Sequence, residues 1–369
     1  MIGARLPLVP GATPTPRVRA AHCRRHRAGQ AGCHACALVC PTEAFWVDAA
    51  GGLRLQEIDC VGCGACASVC PSQAIAFDGG SAGAVAEALR RGDATIGCHH
   101  GGAEGDVRVA CLAALHPELL AGLMLAFPER RLTLNVARCA TCDIGRLLPL
   151  IEAQFDQACA YATLAGVVPR ARLAGEAAAP VAPPALSRRA LFGALRQETA
   201  KLVTGAIAEA LGAEAPTEHL PHRAALLDAA RRRLSARGGE AVELPVLGAF
   251  YVDWAVDDRC DGCAGVAGAN GPRCVAACPS GAWRMGRASG RAVLSHDAAR
   301  CTACGLCEEV CPRDALSPRP APLAADAGRR PKRELPLVRC RGCHAAIPAG
   351  GDGTCPNCRK RLGAWPVRG

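Results

Sequence analysis

Cysteine carries the chemistry of this chain. Twenty-five of its 369 residues are cysteine, and most recur as C-x2-C pairs or directly precede a proline. Two runs are complete: Cys60-x2-Cys63-x2-Cys66-x3-Cys70-Pro71 and Cys301-x2-Cys304-x2-Cys307-x3-Cys311-Pro312. Each has a looser partner upstream, Cys23-x9-Cys33-x2-Cys36-x3-Cys40-Pro41 and Cys260-x2-Cys263-x10-Cys274-x3-Cys278-Pro279. Cys340-x2-Cys343-x11-Cys355-x2-Cys358 closes the chain, and Cys98, Cys111, Cys139 and Cys142 lie between the two blocks. An odd cysteine count argues against a complete disulfide framework. The C-x2-C spacing argues against it more strongly, because it reads as metal ligation in a reducing compartment.

In the complete runs three thiolates sit on one tight loop, where they can bind three irons of a cubane while backbone N–H groups point at the sulfurs. Gly64 and Gly305 remove a Cβ where the backbone must approach closely. The proline after the fourth cysteine suits the first position of a helix. Both runs resemble the signature of the bacterial two-cluster (2 × 4Fe–4S) ferredoxin family, in two copies of about 60 residues each. Phe45–Val47 with Leu53–Leu55, and Ala282–Met285 with Ala292–Leu294, read as the hairpins between motifs.

The resemblance implies crossed ligation, in which the fourth cysteine of each motif serves the other cluster. One cluster is then held by Cys23, Cys33, Cys36 and Cys70, and a second by Cys40, Cys60, Cys63 and Cys66. A third uses Cys260, Cys263, Cys274 and Cys311, and a fourth Cys278, Cys301, Cys304 and Cys307. The extra residues of the looser motifs lengthen a loop without deleting a ligand. Cys23 has the most unusual spacing, and without it that site would hold three irons or a labile cubane.

In the middle segment Cys98 follows a short Ala-Thr-Ile-Gly run. Asp106–Ala110 is strand-like and ends at Cys111, and Leu132–Val136 is strand-like and precedes Cys139 and Cys142. Pro117–Phe127 reads as an apolar helix between the last two strands. Cysteines at the C-terminal ends of successive strands converge on one edge of an α/β sheet, where ligands usually bind. The passage Val107-Arg108-Val109-Ala110-Cys111-Leu112, His116-Pro117-Glu118-Leu119-Leu120 and Arg138-Cys139 is similar to the small iron–sulfur subunit of hydrogenases linked to heterodisulfide reductase. That similarity implies a 2Fe–2S cluster on Cys98, Cys111, Cys139 and Cys142. It spans about 50 residues and departs from the family pattern, which has a wider last gap and more cysteine near Cys98. His99 or His100 could replace a thiolate, as histidines do in Rieske centres. The competing reading makes these cysteines buried small hydrophobes, or Cys139 and Cys142 a redox-active pair. Cys159, alone on an apolar helical stretch, reads as core.

Cys340, Cys343, Cys355 and Cys358 form a pattern of two C-x2-C knuckles that brings four thiolates around one tetrahedral ion. It resembles a zinc ribbon. A rubredoxin-like iron site has similar spacing but calls for aromatics around it, and only Trp365 is near.

The elements that must position these ligands follow from the intervals between them. The chain reads as an α+β multi-domain protein: two ferredoxin-like two-cluster domains flanking an α/β domain and a helical segment, with a C-terminal zinc ribbon. Residues 1–22 read as a disordered arm, 23–80 as the first ferredoxin-like domain, and 81–165 as the α/β domain with its candidate 2Fe–2S site. Residues 166–237 read as linker and helical segment, the latter on the spacing of Phe192, Leu195, Leu202, Ala206 and Ala210. The second ferredoxin-like domain spans 238–320, a linker rich in proline and arginine 321–336, and the ribbon 337–369.

Aromatic residues make up only 3% of the chain, so small modules held by metal–sulfur chemistry fit better than one large core. No run of apolar residues is long enough to span a membrane. Met1–Ala21 has no uninterrupted apolar stretch of the kind a signal peptide needs, and Ser187-Arg188-Arg189 reads as a helix start rather than an export signal. A cytoplasmic protein is expected. The formal charge of +10 counts every thiol as neutral. Six loaded four-thiolate sites would each add about −2 and leave a net charge of about −2. The basicity then compensates the clusters and is weak support for nucleic-acid binding.

The function expected is that of an iron–sulfur electron carrier, a polyferredoxin-like wire or subunit passing single electrons between partner redox proteins such as flavo- or metalloenzymes. An iron–sulfur subunit of a reductase with its own catalytic site is the alternative. No catalytic residue stands out, and Gly265, Gly268 and Gly271 fall inside a cysteine insert rather than between a strand and a helix, which disfavours a dinucleotide site. A third class is a redox-sensing nucleic-acid-binding regulator using the ribbon and the runs Arg24-Arg25-His26-Arg27 and Arg231-Arg232-Arg233.

Overall fold

A computed structural model describes residues 14–28, 32–49, 52–77, 82–175, His222, Leu226, Ala229, 242–244, 252–263, 271–323, 328–349 and 353–363. In the first block, β1 (Arg17–Val18) precedes a short helix α1 (Arg24–Ala28) and a second, α2 (Ala35–Val39). A hairpin of β2 (Phe45–Val47) and β3 (Leu53–Leu55) follows as expected, its turn closed by Asp48, whose carboxylate accepts the Gly52 N–H at 2.7 Å. Helix α3 (Ala65–Ser68) leads to β4 (Ile75–Ala76). The core of this block is largely sulfur: Cys23, Cys36, Cys40, Cys66 and Cys70 are buried with only Phe45, Ile75 and small alanines beside them.

Residues 14–22 belong to this domain rather than to a free arm. β1 pairs antiparallel with β4, and the Arg19 N–H donates to the Ala74 carbonyl at 2.8 Å. A two-residue pairing leaves no periodicity for sequence reading to detect. Residues 1–13 lie outside the described residues.

The α/β domain is built on a parallel sheet in the order β6, β5, β7, β8, where β5 is Ala94–Cys98, β6 Val107–Val109, β7 Leu132–Asn135 and β8 Ala171–Ala174. β8 pairs with β7, so the first part of the expected 166–237 linker is the fourth strand of this sheet. Its sequence, Ala-Arg-Leu-Ala, lacks the β-branched residues that announce strands. Helix α4 (Ala82–Arg91), α5 (Pro117–Ala126) and α6 (Leu148–Leu164) complete the domain. α5 buries Pro117 through Leu125 without a polar face, which suits a helix enclosed on all sides. Leu226 and Ala229, both helical, join this core. Phe192, Leu195, Leu202, Ala206 and Ala210 lie outside the described residues.

In the last third β9 (Val242–Leu244) pairs with β14 (Ala321–Leu323), and β10 (Asp253–Val256) with β13 (Leu316–Arg319). β11 (Trp283–Ala288) and β12 (Arg291–Asp297) form the expected hairpin. The stretch 321–336 is not a linker. β14 and most of β15 (Arg329–Arg339) lie in it, and β15 runs antiparallel to β12. Proline and paired cations argued for a loop, but Pro331 falls where the register shifts between Leu294 and Ser295, and a bulge tolerates a residue with no N–H. β15 continues into β16 (Ala346–Pro348), so the closing cysteine module shares the four-stranded sheet β11-β12-β15-β16 with the second ferredoxin-like block.

One polar cluster joins this sheet to β10 of the neighbouring β10–β13 pair. Asp253 on β10 accepts the Nδ1–H of buried His296 on β12 at 3.0 Å and pairs with Lys332 on β15. Burial pushes the Asp253 pKa up, but His296, Lys332 and the Trp254 N–H outweigh it and hold the carboxyl at about 2. Burial also lowers the pKa of His296, so the ring donates as the neutral imidazole, tilted against Trp283 at 4.7 Å between centroids. A carboxylate pKa depressed on folding stabilises the fold above its unfolded value and loses that contribution as pH falls through the folded one. Asp253→Asn is therefore expected to lower unfolding stability at pH 7 by about 2 kcal/mol, read by denaturant titration of tryptophan fluorescence. The gap should close as pH falls from about 4 towards 2. Equal stability of the two proteins at pH 7 would contradict the role assigned to this contact.

Candidate metal centres

The structure gathers the twenty motif cysteines outside the middle segment and its four into distinct groups. Cys23, Cys33, Cys36 and Cys70 line one cavity, with Arg24, Arg25, Leu53 and Ile75 around them. Cys40, Cys60, Cys63 and Cys66 line a second, walled by Pro16, Val61 and Phe45. The fourth cysteine of each motif thus sits with the three of the other. Burial pushes the Cys36 thiol up to about 12, aided by Cys70, Cys33 and Cys23. Burial likewise raises Cys66, aided first by Cys63 and then by Cys36 of the neighbouring group. Neutral thiols cannot neutralise one another, so such quartets fit a cationic metal–sulfide core that accepts thiolates.

In the second block the same grouping appears through charge. Burial raises Cys274, and its cysteine neighbours are Cys263, Cys260 and Cys311. Burial raises Cys307, beside Cys301, Cys304 and Cys278. Local geometry explains the spacing. Gly64 and Gly305 stand at the starts of their helices with φ of 74°, in the left-handed region that favours glycine. A Cβ on Gly64 would also lie 2.3 Å from the Phe77 ring, whereas nothing crowds Gly305. The two glycines share a backbone requirement, and only the first has a packing one.

Amide and hydroxyl groups surround the sulfurs. The Ala74 N–H donates to Cys70 Sγ at 3.2 Å and the Ala315 N–H to Cys311 Sγ at 3.4 Å. Burial raises the pKa of Cys40, but the N–H groups of Phe45, Thr42 and Ala44 outweigh it and the net direction is down. Three of the four Cys-Pro steps in the two dicluster blocks are followed by a hydroxyl that approaches the sulfur: Thr42 to Cys40 at 3.7 Å, Ser72 to Cys70 at 3.8 Å and Ser280 to Cys278 at 3.6 Å. Sequence reading missed these residues, although the recurrent Cys-Pro-Ser/Thr was the signal. The fourth step has Arg313 instead, which pairs with Asp261.

In the α/β domain Cys98, Cys111, Cys139 and Cys142 line one cavity with Gly101, Leu112, Ile144, Leu147 and Ile151. Cys98 ends β5, and the others follow β6 and β7, so the parallel sheet delivers all four to one edge. Burial pushes Cys111 up to about 12, beside Cys98, Cys63 and Cys139. Cys63 lines the second cavity, so the two groups adjoin. Burial pushes Cys139 up to about 11, beside Cys98 and Cys142. Gly101 leaves room here, since a Cβ would lie 3.4 Å from Cys98 Sγ and 3.6 Å from Cys142 Sγ. His99 is exposed. His100 lies with Cys142 and Asp143, their ligand atoms within 4.8 Å of one another. Cys159 packs on the domain core away from these groups, its thiol raised to about 11 by burial and then Asp156.

At the C-terminus the sulfurs of Cys340, Cys343, Cys355 and Cys358 lie within 4.8 Å of one another. The Cys355 N–H donates to Cys340 Sγ at 3.1 Å and the Gly342 N–H at 3.4 Å. These amides, Cys355 first, hold the Cys340 thiol down at about 6. Hydrogen bonding with Cys355 and the other thiols pushes Cys358 the other way, up to about 12. Four sulfurs around one point suit a tetrahedral ion that takes them as thiolates.

Two segments match protein-family models. Residues 31–75 and residues 259–315 each match a family described as 4Fe-4S dicluster domain. No curated protein matches the chain. The second match spans all eight cysteines of its block, and the first spans Cys33 to Cys70 and leaves out Cys23. The chain carries two dicluster domains and is, at that level, an iron–sulfur protein of the electron-transfer type. Among the described residues no helix is long and apolar enough to cross a membrane.

The grouping yields a test. Cys70 follows Cys66 in sequence but lines the cavity of Cys23, Cys33 and Cys36. Anaerobically purified Cys70→Ala is expected to lose the cluster signal of that group first and to retain the one of Cys60, Cys63 and Cys66. Loss of the latter alone, by site-resolved spectroscopy, would contradict the crossed arrangement.

Proposed function

We propose that the chain is a multi-centre electron wire that passes single electrons between protein redox partners in the cytoplasm, flavo- or metalloenzymes among them. Cys23, Cys33, Cys36 and Cys70 hold one 4Fe–4S cluster, and Cys40, Cys60, Cys63 and Cys66 the next. Cys278, Cys301, Cys304 and Cys307 hold a third, and Cys260, Cys263, Cys274 and Cys311 a fourth. Cys98, Cys111, Cys139 and Cys142 hold a 2Fe–2S cluster, the nuclearity implied by the similarity to the heterodisulfide-reductase-linked subunit. Cys340, Cys343, Cys355 and Cys358 hold zinc as a ribbon. Bound clusters supply one-electron chemistry, and the protein tunes them through burial and hydrogen bonds to sulfur.

The observation that carries this reading is the adjacency of the quartets. Cys36 and Cys66 lie in one core and Cys63 and Cys111 in the next, so neighbouring groups run from the first dicluster domain into the α/β domain. The work of the residues is to hold each group dry and close to the next. The arginine run of residues 24–27 is engaged inside the protein: Arg25 is 7% exposed and its Nε–H donates to the Cys33 carbonyl at 3.1 Å. That use weakens the nucleic-acid reading, for which a solvated basic face is needed.

Metal content tests the whole assignment. Protein purified without oxygen is expected to carry about 18 iron atoms per chain and about one zinc. About eight iron atoms or fewer would sink the four-cubane reading. A 2Fe–2S signal that survives Cys139→Ser would remove the cluster from the α/β domain.

A further inference from the structure

The first motif differs from the complete runs by the nine residues between Cys23 and Cys33. The structure spends the start of that insert on α1, and α1 faces the second dicluster domain. The Arg24 guanidinium pairs with the Glu309 carboxylate. Arg27 donates its Nε–H to the Ala277 carbonyl at 3.0 Å and a second N–H to the Ala276 carbonyl. His22 Nδ1 bonds the Pro279 carbonyl at 2.8 Å. The accepting carbonyls bracket Cys278, and Glu309 lies between Cys307 and Cys311.

Arg24 is placed between two sulfur groups. Burial lowers its pKa, but Glu309 outweighs this, with Cys304 of one dicluster domain and Cys33 of the other adding in the same direction. The Ala276 and Ala277 carbonyls end the short helix Arg273–Ala277 and have no partner within it, so a guanidinium fork satisfies acceptors that would otherwise need water. Other contacts hold the same approach. Ala298 and Ala299 pack on the α/β core, and Thr302 lines a cavity with Ser68, Gln73 and Glu118.

We propose that the insert between Cys23 and Cys33 is an internal docking element, which clamps the second dicluster domain so that the group of Cys23, Cys33, Cys36 and Cys70 faces the group of Cys278, Cys301, Cys304 and Cys307 across Arg24. The proposal rests on the electron-wire reading and supplies its missing joint, the step between the two dicluster domains. Arg24 and Arg27 are positioning residues. They neither ligate nor react, and they fix the separation on which exchange between the two groups depends.

Two measurements on the full chain separate docking from cluster loading. Zero-length carbodiimide coupling in the R24K variant is expected to join the amine at position 24 to Glu309, mapped by mass spectrometry with or without iron. Absence of that cross-link overturns the docking. In the reduced, iron-loaded protein, the magnetic interaction between the two facing groups is expected to be present in the parent and lost in R24E/R27A at unchanged iron content. It should return in the charge-swapped R24E/E309R variant. An interaction unchanged in R24E/R27A, or not regained on charge swapping, overturns the clamp. Because R24E could disturb the group of Cys23 itself, E309R alone serves as the second variant, breaking the same pair from the other domain. A parent protein without iron would instead defeat the electron-wire reading, and the cross-link would still report on docking.

Discussion

Buried sulfur next to buried sulfur is the constraint on which the rest of this structure depends. In the dicluster and α/β groups most of the sulfurs are enclosed, and burial and neighbouring thiols oppose ionisation, so that Cys36 and Cys111 are each driven to about 12. A cationic core reverses that balance, because it accepts all four thiolates at once and turns mutual repulsion into ligation. The core of the first dicluster domain has little else: five cysteines, one phenylalanine, one isoleucine and a few alanines. A domain so poor in large side chains cannot bury enough apolar surface alone.

The folds around the quartets solve a common problem in different ways. In the dicluster domains a tight loop supplies three sulfurs. The fourth cysteine lies just past the end of a short helix, where the Cys-Pro step opens a turn rather than the helix its proline suggested, and serves the neighbouring group. In the α/β domain the parallel sheet does the gathering, because every strand ends at the same edge. The closing module uses two knuckles and borrows a strand from the adjacent sheet, β15. In all of them the sulfur is fixed by backbone rather than by long side chains, which in the dicluster domains suits centres that change charge with little movement.

The cysteine motifs were legible in the sequence because spacing is local information, whereas the crossed grouping of the sulfurs was implied only by the resemblance to two-cluster ferredoxins. Hairpins β2–β3 and β11–β12 and the parallel strands β5 and β7 were legible for the same reason, since their residues alternate or cluster. What sequence missed was decided by distant partners. Residues 321–336 look like a linker until β12 is present to pair with β15, and Pro331 looks prohibitive until a bulge receives it. β1 gains meaning only from β4, and β8 only from β7. The arginines beside Cys23 read as a solvated basic run, and only tertiary structure reveals Glu309 and the Ala276 and Ala277 carbonyls as their partners.

The quartets are not chemically equal, and that inequality matters for a wire. Hydrogen bonds to sulfur and nearby positive charge both favour the electron-rich state of a bound cluster. The group containing Cys70 has the Ser72 hydroxyl, the Ala74 amide and Arg24 beside it. The group containing Cys40 has Thr42, and the group containing Cys278 has Ser280 together with the charge of Arg24. The group containing Cys311 has an amide from Ala315, but Arg313 replaces the hydroxyl and is drawn off to Asp261. The Arg273 N–H also donates to Cys263 Sγ of this group at 3.4 Å, and the charges of Arg273 and Arg333 act on its sulfurs. A chain of identical centres would have no preferred direction, whereas groups that differ in their hydroxyl, amide and arginine neighbours hold bound clusters at different potentials.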